Sequence, residues 1–190
     1  MNLDALFSSE KDDWETPPEL FDRYNRKYGF TIDLAASESN HKCPEWYGLR
    51  LDPILEVPTL IDAFAQTWGG RCWLNPPYGE AENACKANCK KKRCKERGYH
   101  LKEYRPGTVD WMRKARESVL IDKTAEVVCM LLPSRTDTKW FHQWVWDFAY
   151  GKFRPGVHVD FLPGRVKFLA DGIEQGTAPF PSMVVTFERS

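Results

Sequence analysis

The chain has 190 residues, with 27 Lys or Arg balanced by 27 Asp or Glu and an aromatic share of 14%. That length predicts one domain, 1–190, large enough to bury a core, which excludes disorder for most of it. The longest apolar runs, such as Val127–Leu132, fall far short of the roughly 18 residues that span a bilayer, so no membrane role is expected. Zero formal net charge argues against a uniformly basic nucleic-acid binder, but not against a basic patch.

In chain order, residues 1–13 are acidic and polar, without the basic-then-apolar pattern of a leader peptide. Thr16-Pro17-Pro18 followed by Glu19–Tyr24 reads as a helix start, with prolines and an acid in the first turn. Phe30–Leu34 reads as a short strand carrying Asp33 near its end. Asp62–Trp68 reads as a short helix or turn, and Arg71–Leu74 as a second buried strand stopped by Pro76-Pro77. Val109–Val119 has helical character, Glu126–Leu132 is a continuous apolar strand, and Thr138–Phe148 is an aromatic-rich helix. Val157–Leu162 and Val166–Leu169 form strands around a Pro163-Gly164 turn, and Ser182–Glu188 is the last strand. Strands alternating with helices predict an α/β fold: a mainly parallel sheet with an antiparallel pair towards the C-terminus.

Residues 83–107 fit no element of that sheet and read as an insertion placed just after a strand end, where open α/β sheets bind their ligands. Seven of its side chains between Cys85 and Arg97 are basic and one, Glu96, is acidic. Its Cys85-x3-Cys89-x4-Cys94-x5-His100 spacing gathers three thiols and an imidazole, a donor set that suits tetrahedral zinc. Free thiols in a polar loop are the alternative, and Cys43 with His41 is a substitute ligand source. Cys72 and Cys129 lie in strands and belong to the core. Because the chain shows no secretory leader, its six cysteines fit a reducing, cytoplasmic setting better than a disulfide framework. Lys91, Lys92 and Arg93 in this loop, with Arg135 and Arg165 from strand-end loops, are candidate contacts to nucleic-acid phosphates; a solvated face or structural ion pairs are the alternative.

Asn75-Pro76-Pro77-Tyr78 carries the chemistry. An amine conjugated to an aromatic ring is a poor nucleophile because its lone pair is delocalised. The Asn75 side-chain oxygen and the Pro76 carbonyl, held rigid by the following Pro77, can accept hydrogen bonds from both of its N–H groups, while Tyr78 offers a ring face for a planar base. A strand merely stopped by two prolines is the alternative.

This motif resembles motif IV of the amino-methyltransferases. Glu15-Thr16-Pro17-Pro18-Glu19, Asp33-Leu34-Ala35-Ala36-Ser37, Leu132–Phe141, Gly164–Phe168 and Ala178–Phe187 extend the resemblance over nearly the whole chain to the short DNA N6-adenine methyltransferases of phages and prophages. The resemblance implies a reduced Rossmann-like methyltransferase sheet, S-adenosylmethionine as cofactor, double-stranded DNA as partner and a bacterial host cytoplasm. It places Trp14, Thr16, Pro17, Asp33, Ala35 and Asn75 beside the cofactor and Asp62 at its adenine. Asp52, 19 residues beyond Asp33, stands near the distance at which an acid reaches a ribose; a plain surface acid is the alternative for Asp52 and Asp62, and core packing for Trp14. Only 41 residues separate Asp33 from Asn75, so one strand of a full methyltransferase sheet is expected to be missing or reduced there. Three alternatives remain: methylation of a protein glutamine, methylation of an RNA amine, or a degenerate DNA-binding module.

Overall fold

The computed structural model describes residues 14–51, 54 and 58–189. Asp52 lies outside the described residues. Pro18 at the first helical position, Glu19 in the first turn and Arg26 and Lys27 in the last favour helix α1 (Pro18–Tyr28) at both ends of its dipole, and Gly29 closes it at φ 62°. Strands β1 (Ile32–Ser37), β2 (Glu45–Leu51), β3 (Pro58–Leu60) and β4 (Gly70–Leu74) follow. Helix α2 (Lys92–Arg97) lies within the insertion, and helix α3 (Thr108–Arg116) runs on into a π-helical turn at Glu117–Ile121. Strand β5 (Ala125–Pro133) leads to a second π-helical turn at Phe141–Val145. Strands β6 (Trp146–Asp147), β7 (Lys152–Phe153), β8 (Val157–Phe161), β9 (Leu169–Ala170), β10 (Ile173–Glu174) and β11 (Ser182–Glu188) complete the chain.

Seven strands form one sheet in the order β3-β2-β1-β4-β5-β11-β8. β2, β1, β4 and β5 are parallel, whereas β11 runs antiparallel to both β5 and β8. This is the mainly parallel Rossmann-like methyltransferase sheet expected, its last strand inserted between β5 and β8. β5 is buried at every position but Glu126 because both faces of the sheet are covered, which explains its unbroken apolar run. Cys72, Leu74, Val128 and Met130 pack with Trp111, Met112 and Ala115 of α3 on one face. Trp73, Val127, Cys129 and Leu131 pack with Phe21 and Tyr24 of α1 on the other.

Between β1 and β4 the described residues hold two strands, the second cut to three residues and antiparallel to β2. β2 approaches β1 closely: a Cβ on Gly48, at φ 147°, would stand 1.7 Å from the Ala36 carbonyl oxygen, so only glycine fits. Two expectations fail. Helical structure between Thr138 and Phe148 stops at Val145, because Trp146-Asp147 turns extended to pair with Lys152-Phe153, and Arg154 clamps the bend through Asp147 and the His142 carbonyl. The Pro163-Gly164 hairpin is also absent: β8 spends its ladder on β11, Phe168 enters the core, and β9 pairs instead with β10.

Candidate functional site

Because β1, β2, β4, β5 and β8 point the same way, the residues following them share one edge of the sheet. That edge collects Asn75 after β4, Arg135 after β5 and Arg165 after β8, with Phe180 and Pro181 leading into β11. Backbone bonds weld it, from Ser134 N–H to the Pro181 carbonyl at 2.8 Å and from Leu162 N–H to the Ser182 carbonyl at 3.0 Å.

Within Asn75-Pro76-Pro77-Tyr78, the Asn75 Nδ2 donates to the Trp14 carbonyl, which fixes which end of the amide is the acceptor, Oδ1. The Tyr78 hydroxyl donates to that Oδ1 at 2.5 Å. Burial pushes the Tyr78 phenol well above its ordinary value, so it stays a neutral donor. Its ring meets Phe180 at 5.7 Å and 86° and Phe168 at 6.2 Å and 65°, and Trp14 stands edge-on to Phe168 at 4.8 Å. Trp14, Tyr78, Phe168 and Phe180 thus form an aromatic surround at the motif. Phe168 and Phe180 were not singled out from the sequence, although both fall in stretches that carry the family resemblance.

Thr16 is buried and Pro17 partly so, and Glu15 is bridged to Leu169 by two backbone bonds, which seats this segment beside Phe168. Asp33 does not close its strand: β1 runs on to Ser37, with an irregularity between Asp33 and Ala36. The Asp33 carboxylate accepts the Ala35 N–H at 3.3 Å and the Lys42 N–H at 3.1 Å, and burial pushes it up to about 6. Ala35 and Ala36 lie within β1 after that irregularity, Ala36 paired with Gly48. Asp62 is exposed after β3 and accepts the Phe64 N–H at 2.9 Å, forming a local turn. Lys114 ties that turn to α3, donating to the carbonyls of Ala63, Phe64 and Gln66 at 3.0, 2.7 and 2.8 Å. At the far side of the edge, the buried Ser134 and Ser182 hydroxyl oxygens have no partner among the described residues.

The insertion leaves and returns at the same point. Thr108 N–H bonds the Gly79 carbonyl at 2.9 Å, and a Cβ on Gly107 would stand 2.3 Å from the Ala81 nitrogen. Within it, one donor atom from each of Cys85, Cys89, Cys94 and His100 lies within 4.8 Å of the others. Lys91, Lys92 and Arg93 are exposed; Lys92 pairs with Glu96 at 3.5 Å and Arg93 with Glu80 at 3.6 Å. Arg97, counted among the basic side chains of the loop, faces inward, pairing with Glu82 at 3.2 Å and donating to the Cys94 sulfur at 3.6 Å. Arg135 and Arg165 are exposed.

The strand order, the antiparallel insertion of β11 and the Asn-Pro-Pro-Tyr loop after β4 define the class as a Rossmann-like methyltransferase. The chain belongs to the DNA N-6-adenine-methyltransferase (Dam) family, whose model matches residues 4–189. No curated protein and no solved structure matches it. The enzyme is therefore a DNA adenine-N6 methyltransferase. Among the described residues no helix is long and apolar enough to cross a membrane.

Proposed function

We propose that the chain transfers a methyl group from S-adenosylmethionine to the N6 amine of an adenine swung out of double-stranded DNA at a specific site. The observation that carries this reading is the fixed Asn75 amide. With Nδ2 held by the Trp14 carbonyl, Oδ1 is the end available to accept an incoming amine N–H. The Pro76 carbonyl, held by the Pro76-Pro77 linkage, accepts the second N–H. Together they draw the N6 lone pair out of conjugation and aim it, so rate comes from positioning and fixed dipoles. Neither acceptor needs to ionise, and the proton is lost to water after transfer.

The Tyr78 hydroxyl already donates to Asn75 Oδ1. An sp² oxygen has two lone pairs, so the amine can share it or displace the hydroxyl. The Tyr78 ring, braced by Phe168 and Phe180, supplies a stacking surface for the extruded base.

The residues present fit S-adenosylmethionine. Ala35 and Ala36 present only small side chains at the end of β1, Asp62 offers an exposed carboxylate, and the orphaned Ser134 and Ser182 hydroxyls lie on the same edge. Thr16, Pro17 and Trp14 stand at the Asn75 side, where the methionine end would rest. Asp33 acts through the backbone here, tying the end of β1 to the segment at Lys42. When bound, the cofactor supplies an electrophilic sulfonium methyl. Arg135 and Arg165 lie on the same edge, both on the β5–β8 side of the motif, and suit the phosphates beside the target adenine.

The test is transfer of labelled methyl to unmethylated duplex DNA, followed by digestion to nucleosides. Label is expected in N6-methyladenine, and Asn75→Ala should lower kcat about 100-fold or more, the loss typical of one fixed polar contact to a reacting group. An Asn75→Ala protein that is folded and fully active would overturn the mechanism.

A further inference from the structure

We propose that Cys85, Cys89, Cys94 and His100 hold one Zn2+ and that this ion folds the insertion 83–107 into a basic clamp for the DNA phosphates next to the target adenine. The clamp role rests on the DNA-methyltransferase reading above; the metal site does not.

The metal argument begins with what else holds the segment together. Among residues 83–107 only Cys94, Leu101 and Gly107 are buried, which is no hydrophobic core. A segment without a core needs another source of folding free energy, and a structural metal supplies one. The thiols are reduced: Cys85 and Cys94 sulfurs stand 3.4 Å apart and Cys89 and Cys94 sulfurs 3.6 Å, far beyond a disulfide bond of about 2.05 Å. Two sulfurs each about 2.3 Å from a tetrahedral zinc lie about 3.8 Å apart, close to both separations. The same crowding leaves room for one ion and none for a multi-iron cluster.

The surroundings match the charge such a site would carry. Three thiolates and a neutral imidazole around Zn2+ leave one net negative charge. Arg97 lies against it, donating to the Cys94 sulfur, and is itself held between Glu82 and the Tyr99 carbonyl. Arg97 is a positioning residue. Its side chain links the ligand set to Glu82, which bridges Arg105 through paired backbone bonds at the root of the insertion. Metal, loop and root are thereby one connected unit.

Its outer surface is cationic. Lys86, Lys90, Lys91 and Lys95 are exposed with no acidic partner among the described residues, and Arg93 reaches Glu80, two residues beyond Tyr78. A groove of about 230 Å³, bounded by Pro77, Glu80, Arg93 and Arg105, separates this surface from the catalytic loop. The clamp therefore stands beside the site where the adenine reacts, as phosphate contacts that set the register require.

The experiment uses the full chain purified without chelator or added metal. Metal analysis should give about one zinc per chain, and replacement by Co2+ should give the visible absorption of a tetrahedral thiolate site. Cys94→Ser should lose the metal and bind duplex DNA about ten-fold more weakly, while S-adenosylmethionine affinity stays within about two-fold. A triple Lys86→Gln, Lys90→Gln, Lys91→Gln variant leaves the ligands intact and covers the case in which Cys94→Ser misfolds. It should keep its zinc, yet its log Kd against log salt slope should fall by about 2–3, near 0.9 per lost phosphate contact. A natively folded metal-free protein overturns the zinc site. A triple variant with unchanged DNA affinity and salt slope overturns the clamp. If zinc and DNA bind as expected but no methyl is transferred, the catalytic reading fails and the clamp stands.

Discussion

Tyr78 carries two groups with separable duties, and substitution to Phe and to Ala separates them. Tyr78→Phe keeps the ring against Phe168 and Phe180 and removes only the hydroxyl that donates to Asn75 Oδ1. Losing a part-buried neutral hydrogen bond costs about 1 kcal/mol of stability, with Asn75 Oδ1 left for water to satisfy. Because an arriving N6 amine must share or displace that hydroxyl, its removal takes nothing from the reacting complex. Tyr78→Phe should therefore hold kcat/KM within about five-fold of the parent. Tyr78→Ala removes the stacking surface, worth about 1–3 kcal/mol per base, or about 5- to 150-fold in kcat/KM. Steady-state transfer of labelled methyl to unmethylated duplex, with 2-aminopurine fluorescence at the target position to follow base extrusion, measures both effects. Should Tyr78→Phe fall as far as Tyr78→Ala, the hydroxyl and not the ring is the working group, and the stacking role is wrong.

Two further outcomes test the scaffold. Burial raises the Asp33 carboxyl to about 6, above its unfolded value, so its desolvation penalty is fully present above pH 6 and fades as pH falls towards 4. Unfolding free energy attributable to Asp33 should thus rise by about 1 kcal/mol from pH 7 to pH 5 in denaturant titrations, and an Asp33→Asn variant should lack that increment. Lys114→Met keeps the aliphatic stem but strips three carbonyls of a charged donor, and should cost about 2–3 kcal/mol, lowering Tm by about 4–12 °C; a Tm unchanged by the substitution would mean that water replaces the ammonium without loss.

Most of the sheet could be read from periodicity because burial dictates it. β5 and β11 are covered on both faces, so their apolar runs are unbroken, and their limits fall within a residue or two of those predicted. β2 was invisible for the opposite reason. Its residues Glu45–Leu51 are half-buried throughout or exposed, so no apolar run or alternation marks it, and its place beside β1 depends on Gly48 meeting the Ala36 carbonyl. The helix predicted over Thr138–Phe148 was misjudged because aromatic spacing suits a helix and a hairpin alike over so few residues. Arg154, distant in sequence from its start, decides in favour of the bend.

The site divides along the same line. Asn75, Pro76, Pro77 and Tyr78 are contiguous, so their chemistry is legible in one window of sequence. What makes that chemistry specific is not contiguous: the Trp14 carbonyl that orients Asn75 lies 61 residues away, and Phe168 and Phe180 lie farther still. Arg97 shows the same limit in the insertion. Counted by composition it is one more cation for DNA; placed by the fold, it is enclosed by Glu82, Tyr99 and Cys94 and withdrawn from phosphate. The count of seven basic side chains therefore overstates the binding surface by one cation while understating the order of the loop that presents it. The two errors share a cause, since a half-buried arginine held against a thiol and a carboxylate is spent on folding the very segment whose remaining lysines face outward.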